Sequence, residues 1–255
     1  MSILKTDSEG AFEEWTIDRE GMRNSLSREL VEELKQHVIR ISHAEAGVRC
    51  VILTGAGEKA FCAGADLRER QDMSAADVRE FLLNLRTLFL SMERSRVVFI
   101  AFLNGVALGG GTELALACDL RIAASHAQLG LTEVRLGIIP GGGGTQRLPR
   151  LVGAGKAKEL IFCGRRVGAE EALRIGLIEG VGVLADARAM ALSISENAPL
   201  ALALAKQAIV QGADLPLEEA LSLEFQMYQQ TLKTEDRQEG LKAFAEKRPP
   251  RFVGR

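Results

Sequence analysis

Short apolar runs alternate with amphipathic helical patterns through the first half of this chain, and that alternation restricts it to an α/β architecture. Residues 49–54, 97–103 and 120–124 are brief and apolar, as strands buried within a sheet are. Leu26, Leu30, Val31, Leu34 and Val38 recur at helical spacing across 24–40, and 78–92 repeats the pattern. Residues 55–70 read as a glycine-punctuated loop leading into a charged helix. Asn104-Gly105 turns the second strand, and Gly109-Gly110-Gly111 opens a helix over 112–117. After residue 185 the pattern changes to successive helices over 188–197, 200–211 and 217–233, broken by Pro199 and Pro216. The charged tail, 234–255, carries Pro249 and Pro250, which oppose a long final helix. The expected division is an α/β core over 1–195 and a helical region over 196–255. Helices with apolar faces at the end of a chain pack on a neighbour more often than they stand alone, so homo-oligomers are expected.

Composition narrows the partners. Of 255 residues, 47% are apolar and 26% charged, and the net charge of -2 gives no general attraction to nucleic acid or anionic membrane. No apolar run reaches membrane length, and the start is polar and acidic, which predicts no signal peptide. The expected location is the cytoplasm, or the mitochondrial matrix in a eukaryote. Cys50, Cys62, Cys118 and Cys163 are far apart and form no CxxC, so free thiols in a reducing compartment are expected. Cys62, beside Gly64, is the thiol to watch for reactivity. His37, His43 and His126 lack metal-ligand spacing, and the first two are predicted to be solvated. No metal is expected.

Two acids stand out against this background. Glu113 follows Gly109-Gly110-Gly111-Thr112, and Glu133 ends Leu129-Gly130-Leu131-Thr132. Both sit in apolar, glycine-rich sequence, where a carboxylate is costly unless paired or used, and where its pKa tends to rise. Two acids in one apolar cleft form a proton-transfer device. Each has a plainer reading. Glu113 suits the first turn of a helix through the dipole, and Glu133 suits a surface pair with Arg135 or Arg147.

Three glycine-rich segments need explaining. Gly55-Ala56-Gly57-Glu58-Lys59-Ala60 matches the dinucleotide fingerprint only weakly, because no helix follows to receive a pyrophosphate. Gly141 to Gly144 lacks the GK[ST] ending of a phosphate loop. Gly109-Gly110-Gly111 reads instead as exposed backbone whose amides, at a helix start, are unpaired and carry the positive end of the dipole. That is half of an oxyanion hole, and Ala63-Gly64-Ala65 is the natural supplier of the second N–H. The plainer alternative is close packing of two backbones. Asp66, with Arg68, Glu69 and Arg70, looks like a solvated helix start. Arg147 and Arg150 read equally well as anion contacts or inter-subunit salt bridges.

At these residues the chain resembles the crotonase (enoyl-CoA hydratase/isomerase) superfamily. The likeness is carried by Ala60 to Leu67, Asn104 to Glu113 with Cys118-Asp119, Gly137 to Gly153, and Glu239 to Arg248. Gly130-Leu131-Thr132-Glu133 and Ala157 to Phe162 look most like the methylglutaconyl-CoA hydratase branch and its enoyl-CoA hydratase-like relatives. The resemblance implies a spiral of ββα repeats with a helical C-terminal region that builds trimers, usually paired into hexamers. It implies water addition to a 2-enoyl-CoA thioester, with Glu113 activating water, Glu133 delivering a proton, and the amides of Ala65 and Gly110 as the oxyanion hole. Substrate-binding positions map onto Ala63, Gly64, Asp66, Leu67, Gly109, Thr132 and Gly141, and CoA-phosphate contacts onto Arg68 and Lys247. No cofactor is implied beyond the coenzyme A of the substrate. The chain departs from the family pattern at Thr132, where many hydratases have proline. It departs again at Arg68, where relatives often have lysine, and in a shortened 176–199 segment. The first twenty residues match loosely.

Retention of both glutamates favours hydration over double-bond isomerisation. RNA binding, known for one methylglutaconyl-CoA hydratase relative, is disfavoured. The corresponding helix, 27–40, balances Arg28, Lys35 and Arg40 against Glu29, Glu32 and Glu33.

Overall fold

The computed structural model describes residues 2–43 and 47–255. Strands β1 (Leu4–Glu9) and β2 (Phe12–Ile17) open the chain as an antiparallel hairpin. There follow α1 (Arg28–Ser42), β3 (Cys50–Gly55), β4 (Ala60–Cys62), α2 (Leu67–Gln71) and α3 (Ala75–Arg94). Next come β5 (Val98–Leu103), β6 (Val106–Leu108), α4 (Gly110–Ala117), β7 (Leu120–Ala123) and β8 (Gln128–Gly130). Then come α5 (Gly144–Val152), α6 (Ala154–Cys163), β9 (Val167–Gly168), α7 (Ala169–Arg174) and β10 (Gly180–Val181). The chain ends in α8 (Leu184–Ser195), α9 (Pro199–Gly212), α10 (Leu217–Thr231) and α11 (Glu235–Glu246).

The expected ββα spiral is visible in how strands share out between two sheets. β3, β5 and β7 enter a six-stranded sheet in the order β1-β2-β3-β5-β7-β10. Each is followed at once by a short strand, β4, β6 or β8, of a four-stranded sheet in the order β4-β6-β8-β9. After β4 and β6 a helical segment returns the chain to the larger sheet, and after β8 the helices α5 and α6 lead to β9 before α7 leads to β10. Both faces of that sheet are covered. Val51, Leu53, Phe99, Ala101 and Leu103 point into the main core with residues of α1, α3 and α4. Their alternate neighbours Cys50, Ile52, Ile100 and Phe102 pack under Ala187 and Ala191 of α8. Double-sided burial is why these strands read as unbroken apolar runs.

The β1–β2 hairpin was not foreseen. β1 is polar because five of its six residues lie exposed on an edge, whereas β2 buries Trp15 and Ile17 and runs parallel to β3. The tail also differs from expectation, since 234–255 contains the twelve-residue helix α11. Thr234 caps it by accepting the Arg237 N–H at 3.1 Å, and Lys247 ends it in the left-handed conformation at φ 53°. Pro249 and Pro250 therefore lie beyond the helix rather than preventing it. The last residues fold back, with Asp236 accepting the N–H groups of Val253 (2.6 Å) and Gly254 (2.8 Å).

A buried lysine docks the helical region on the core. Lys206 of α9 donates to the carbonyls of Met92 (2.9 Å) and Val97 (2.8 Å) and to the Asp119 carboxylate (2.7 Å). All three ammonium donors are thereby satisfied. α10 buries no residue and exposes Leu217, Leu221, Phe225 and Tyr228. Lys206→Met should lower the unfolding free energy by about 3 kcal/mol, because it leaves the Asp119 carboxylate and two buried carbonyls without their donor. Denaturant titration of the two proteins checks this, and equal midpoints would remove the anchoring role.

Candidate active site

The site forms where β4, β6 and β8, parallel neighbours in the smaller sheet, end side by side. Carboxyl ends of parallel strands are where such sheets place ligands. β4 runs into Ala63 to Asp66, β6 into Gly109, and β8 into Leu131 to Glu133. The first loop is held by Leu26, whose N–H donates to the Gly64 carbonyl (2.8 Å) and whose carbonyl accepts the Asp66 N–H (2.9 Å). Between these anchors the Ala65 N–H has no backbone acceptor among the described residues, and neither has the Gly110 N–H at the start of α4. The two amides are close neighbours: a Cβ built on Gly110 would lie 3.6 Å from the Ala65 nitrogen.

The triglycine divides its tasks. Gly111 is pressed against the Cys62 carbonyl, so the plainer reading of backbone packing holds at that position. Gly109 adopts φ 52°, and a side chain there would point at the Glu133 carboxylate, 3.3 Å away. It thus leaves open the space in front of that acid.

Glu113 stands in the first turn of α4 with 2% of its surface exposed. The dipole is not its only partner. Its Oε1 accepts the N–H of Gly142 (2.8 Å) and of Gly144 (2.7 Å). Burial, the strongest influence, raises its pKa above the usual carboxylate range. The N–H groups of Gly144 and Gly142 and the positive charge of Arg147 oppose that rise. Arg147 itself pairs with Glu93, at 2.6 and 2.9 Å, and donates to the Gly142 carbonyl at 2.8 Å.

Glu133 opens a 3-10 turn, Glu133–Leu136, and is half-buried. Its Oε2 is enclosed and has no hydrogen-bond partner among the described residues. Burial first, then the charge of Glu113, pushes its pKa up to about 7. Neither arginine suggested as a surface partner meets it. Arg135 donates to the Cys163 carbonyl at 3.3 Å, and Arg147 is committed to Glu93. Two acids of raised pKa, the charge of one raising the other, thus lie beside two amides without acceptors among the described residues, an arrangement able to pass protons.

Other positions fall differently. Ala63, Gly64 and Thr132 line the same loops, and Gly141 lies against Leu82. Leu67 and Arg68 are exposed on the adjoining rim. Asp66 is not solvated: it is 5% exposed, caps α2 by accepting the Arg68 N–H (3.1 Å) and pairs with Arg19 at 2.9 Å. No hydrogen bond or ion pair among the described residues ties Lys247 to these loops. Cys62 is fully buried, and burial pushes its thiol up to about 12, so it is inert rather than reactive. His37 is half-buried and edge-on to Trp15 (5.4 Å between rings), with desolvation lowering its pKa, contrary to the solvated position expected. Arg147 serves an internal pair, and Arg150 meets Asp214 at 3.2 Å. The loop that resembles a dinucleotide fingerprint is a clasp. Asn104 donates to the carbonyls of Gly55 (2.8 Å) and Gly57 (2.7 Å), and Asn24 to those of Ala56 (3.0 Å) and Ala60 (2.7 Å). Sequence reasoning missed Gly142 and Gly144 as partners of Glu113. Their signal was a tetraglycine with no phosphate-loop ending, which left four bare amides in need of an acceptor.

Known proteins resemble this chain over nearly its whole length. The profile of one family, described as Enoyl-CoA hydratase/isomerase, matches residues 8–255. The Bacillus subtilis (strain 168) protein YngF, named for the same family, is 49% identical over 243 residues, 94% of this chain and 93% of its own. Human mitochondrial methylglutaconyl-CoA hydratase is 45% identical over 246 residues, 93% of this chain and 72% of its own. The crystal structure of an enoyl-CoA hydratase from Bacillus anthracis superposes with a TM-score of 0.97 at 49% identity, covering 100% of both chains.

The raised pKa of Glu133 has a consequence for stability. From an ordinary value of 4.5 it rises to about 7 in the folded protein, so the charged form burdens the fold increasingly across that window and fully above it. Glu133→Gln should therefore raise the thermal midpoint at pH 8, with the gain shrinking toward pH 5. Calorimetry at the two pH values checks the sign; a gain of equal size at both would contradict it.

Proposed function

The chain belongs to the enoyl-CoA hydratase/isomerase family, and we propose that within it this protein adds water across the C2=C3 bond of a 2-enoyl-CoA thioester. The observation that carries this reading is the pair of raised-pKa carboxyls, Glu113 and Glu133, facing one glycine-lined space beside the free amides of Ala65 and Gly110. An isomerase needs only one group to move a proton between carbons, whereas water addition uses a base and an acid together.

In the proposed reaction the thioester oxygen accepts the N–H groups of Ala65 and Gly110. Charge moves onto that oxygen as C3 becomes electrophilic, and loss of one such donor typically costs about 10²-fold or more in rate. Glu113, whose charged form the Gly142 and Gly144 amides support, removes a proton from water as the oxygen bonds to C3. Glu133, protonated near neutrality, delivers a proton to C2. The pair starts and ends with one proton between them, so its members titrate as a unit. Ala63, Gly64, Gly109 and Thr132 shape the space around the acyl group, and Asp66 holds the Ala65 loop through Arg19. Leu67, Arg68 and Gly141 form the rim that the CoA arm crosses, with Lys247 as a further phosphate contact.

A branched substrate such as 3-methylglutaconyl-CoA is the second reading, favoured by the 45% identity to the human enzyme. RNA binding is disfavoured, because the basic residues of α1 are engaged: Arg28 with Asp77, Lys35 with Glu32, and Arg40 with Glu13. A trimer or a pair of trimers is supported by the exposed apolar residues of α10 and by Phe244 on α11, 86% exposed. No helix among the described residues is long and apolar enough to cross a membrane. A cytoplasmic or matrix location accords with that and with the mitochondrial relative.

Glu113→Gln and Glu133→Gln should each lower kcat by about 10²- to 10⁴-fold with KM little changed. Stopped assays on crotonyl-CoA, longer enoyl-CoAs and 3-methylglutaconyl-CoA read this, and near-normal turnover in either variant rejects the mechanism. Because one proton must remain on the pair, kcat/KM should fall about tenfold per pH unit above about 7, in hydration and dehydration alike.

A further inference from the structure

We infer that the Glu93–Arg147 ion pair positions Glu113, clamping from behind the glycine loop whose amides hold its carboxylate. This rests on the reading of Glu113 as the group that activates water. The contacts form a chain. The Gly142 N–H donates to Glu113 at 2.8 Å, while the carbonyl of the same residue accepts from Arg147 Nη1 at 2.8 Å. The remaining edge of the guanidinium grips Glu93 through Nε (2.6 Å) and Nη2 (2.9 Å). Glu93 lies in the last turn of α3, which also supplies the fully buried Phe89. That ring lies under the guanidinium, with 5.9 Å to its centroid, and under Gly142, where an added Cβ would sit 2.7 Å from a ring carbon.

Gly142 is thus seized on both sides. A planar, bidentate fork fixes direction as well as charge, which a lysine ammonium does not. The ion pair is mostly shielded, with side-chain exposures of 14% for Arg147 and 25% for Glu93, so its field reaches the site weakly screened. The groups facing Glu113 are few. Among the described residues, Glu133 lies on the turn after β8, and Arg147 on α5 with Glu93 of α3 behind it. Arg147 is the positive one, and it opposes the rise in the Glu113 pKa.

The two members of the pair should therefore move the acid limb of the kcat/KM profile in opposite directions. Arg147→Gln removes the positive charge and should shift that limb to higher pH, with kcat reduced about tenfold or more and KM changed less than twofold. Glu93→Gln leaves the arginine charge uncompensated and should shift the limb to lower pH. Arg147→Lys should restore the limb but only part of kcat. Circular dichroism and thermal unfolding of each full-length variant establish that it is folded. Should Arg147→Gln fail to fold, Glu93→Gln and Arg147→Lys carry the test. Limbs that stay at the wild-type pH, or that shift together, overturn the inference. A wild-type protein that hydrates no enoyl-CoA would instead overturn the function proposed for Glu113, which separates the two failures.

Discussion

A carboxylate shut away from water is the constraint around which this site is built. Isolated, Glu113 would take up a proton. Two peptide N–H groups, contributed 29 and 31 positions downstream, oppose that uptake. Those amides can face it only because the residues bearing them lack side chains. At Gly142 a Cβ would meet both Phe89 and Glu113, and at Gly144 it would meet Leu131 at 2.7 Å. Glu133 has only its own backbone N–H in support among the described residues, and burial pushes its pKa up to about 7. Two chemically identical side chains are thereby given different proton affinities by the backbone around them.

The larger sheet makes this arrangement possible without taking part in it. Its central strands are buried on both faces and fix where each short strand of the smaller sheet begins. The smaller strands are three residues or fewer, so their ends, not their lengths, are what the fold positions. Loops leaving three parallel neighbours are brought together whatever the loops contain. Chemistry can vary there while the scaffold stays constant.

Much of this was legible in the chain. The apolar runs at 49–54 and 97–103 correspond to β3 and β5, and Leu30, Val31, Leu34 and Val38 are the buried stripe of α1. The two acids stood out because apolar, glycine-rich sequence surrounded them. What stayed hidden depended on contacts distant in sequence. β1 carries no apolar alternation because its stability comes from pairing with β2. The capping of α11 by Thr234 outweighed the charge and prolines of the tail. Asp66 and His37 looked solvated because their partners, Arg19 and Trp15, lie 47 and 22 positions away. The tetraglycine was conspicuous, but nothing local says which acceptor four bare amides will find.

Helix α4 carries two groups of the site on one rigid turn. The Gly110 amide and Glu113 occupy a single helical turn, and Gly111 between them is wedged on the Cys62 carbonyl. A displacement of that turn would move both groups together, changing their offset from Ala65 and Glu133 more than their mutual spacing. Swelling at residue 111 would tilt donor and acid in concert, detuning the whole assembly without touching any reacting atom.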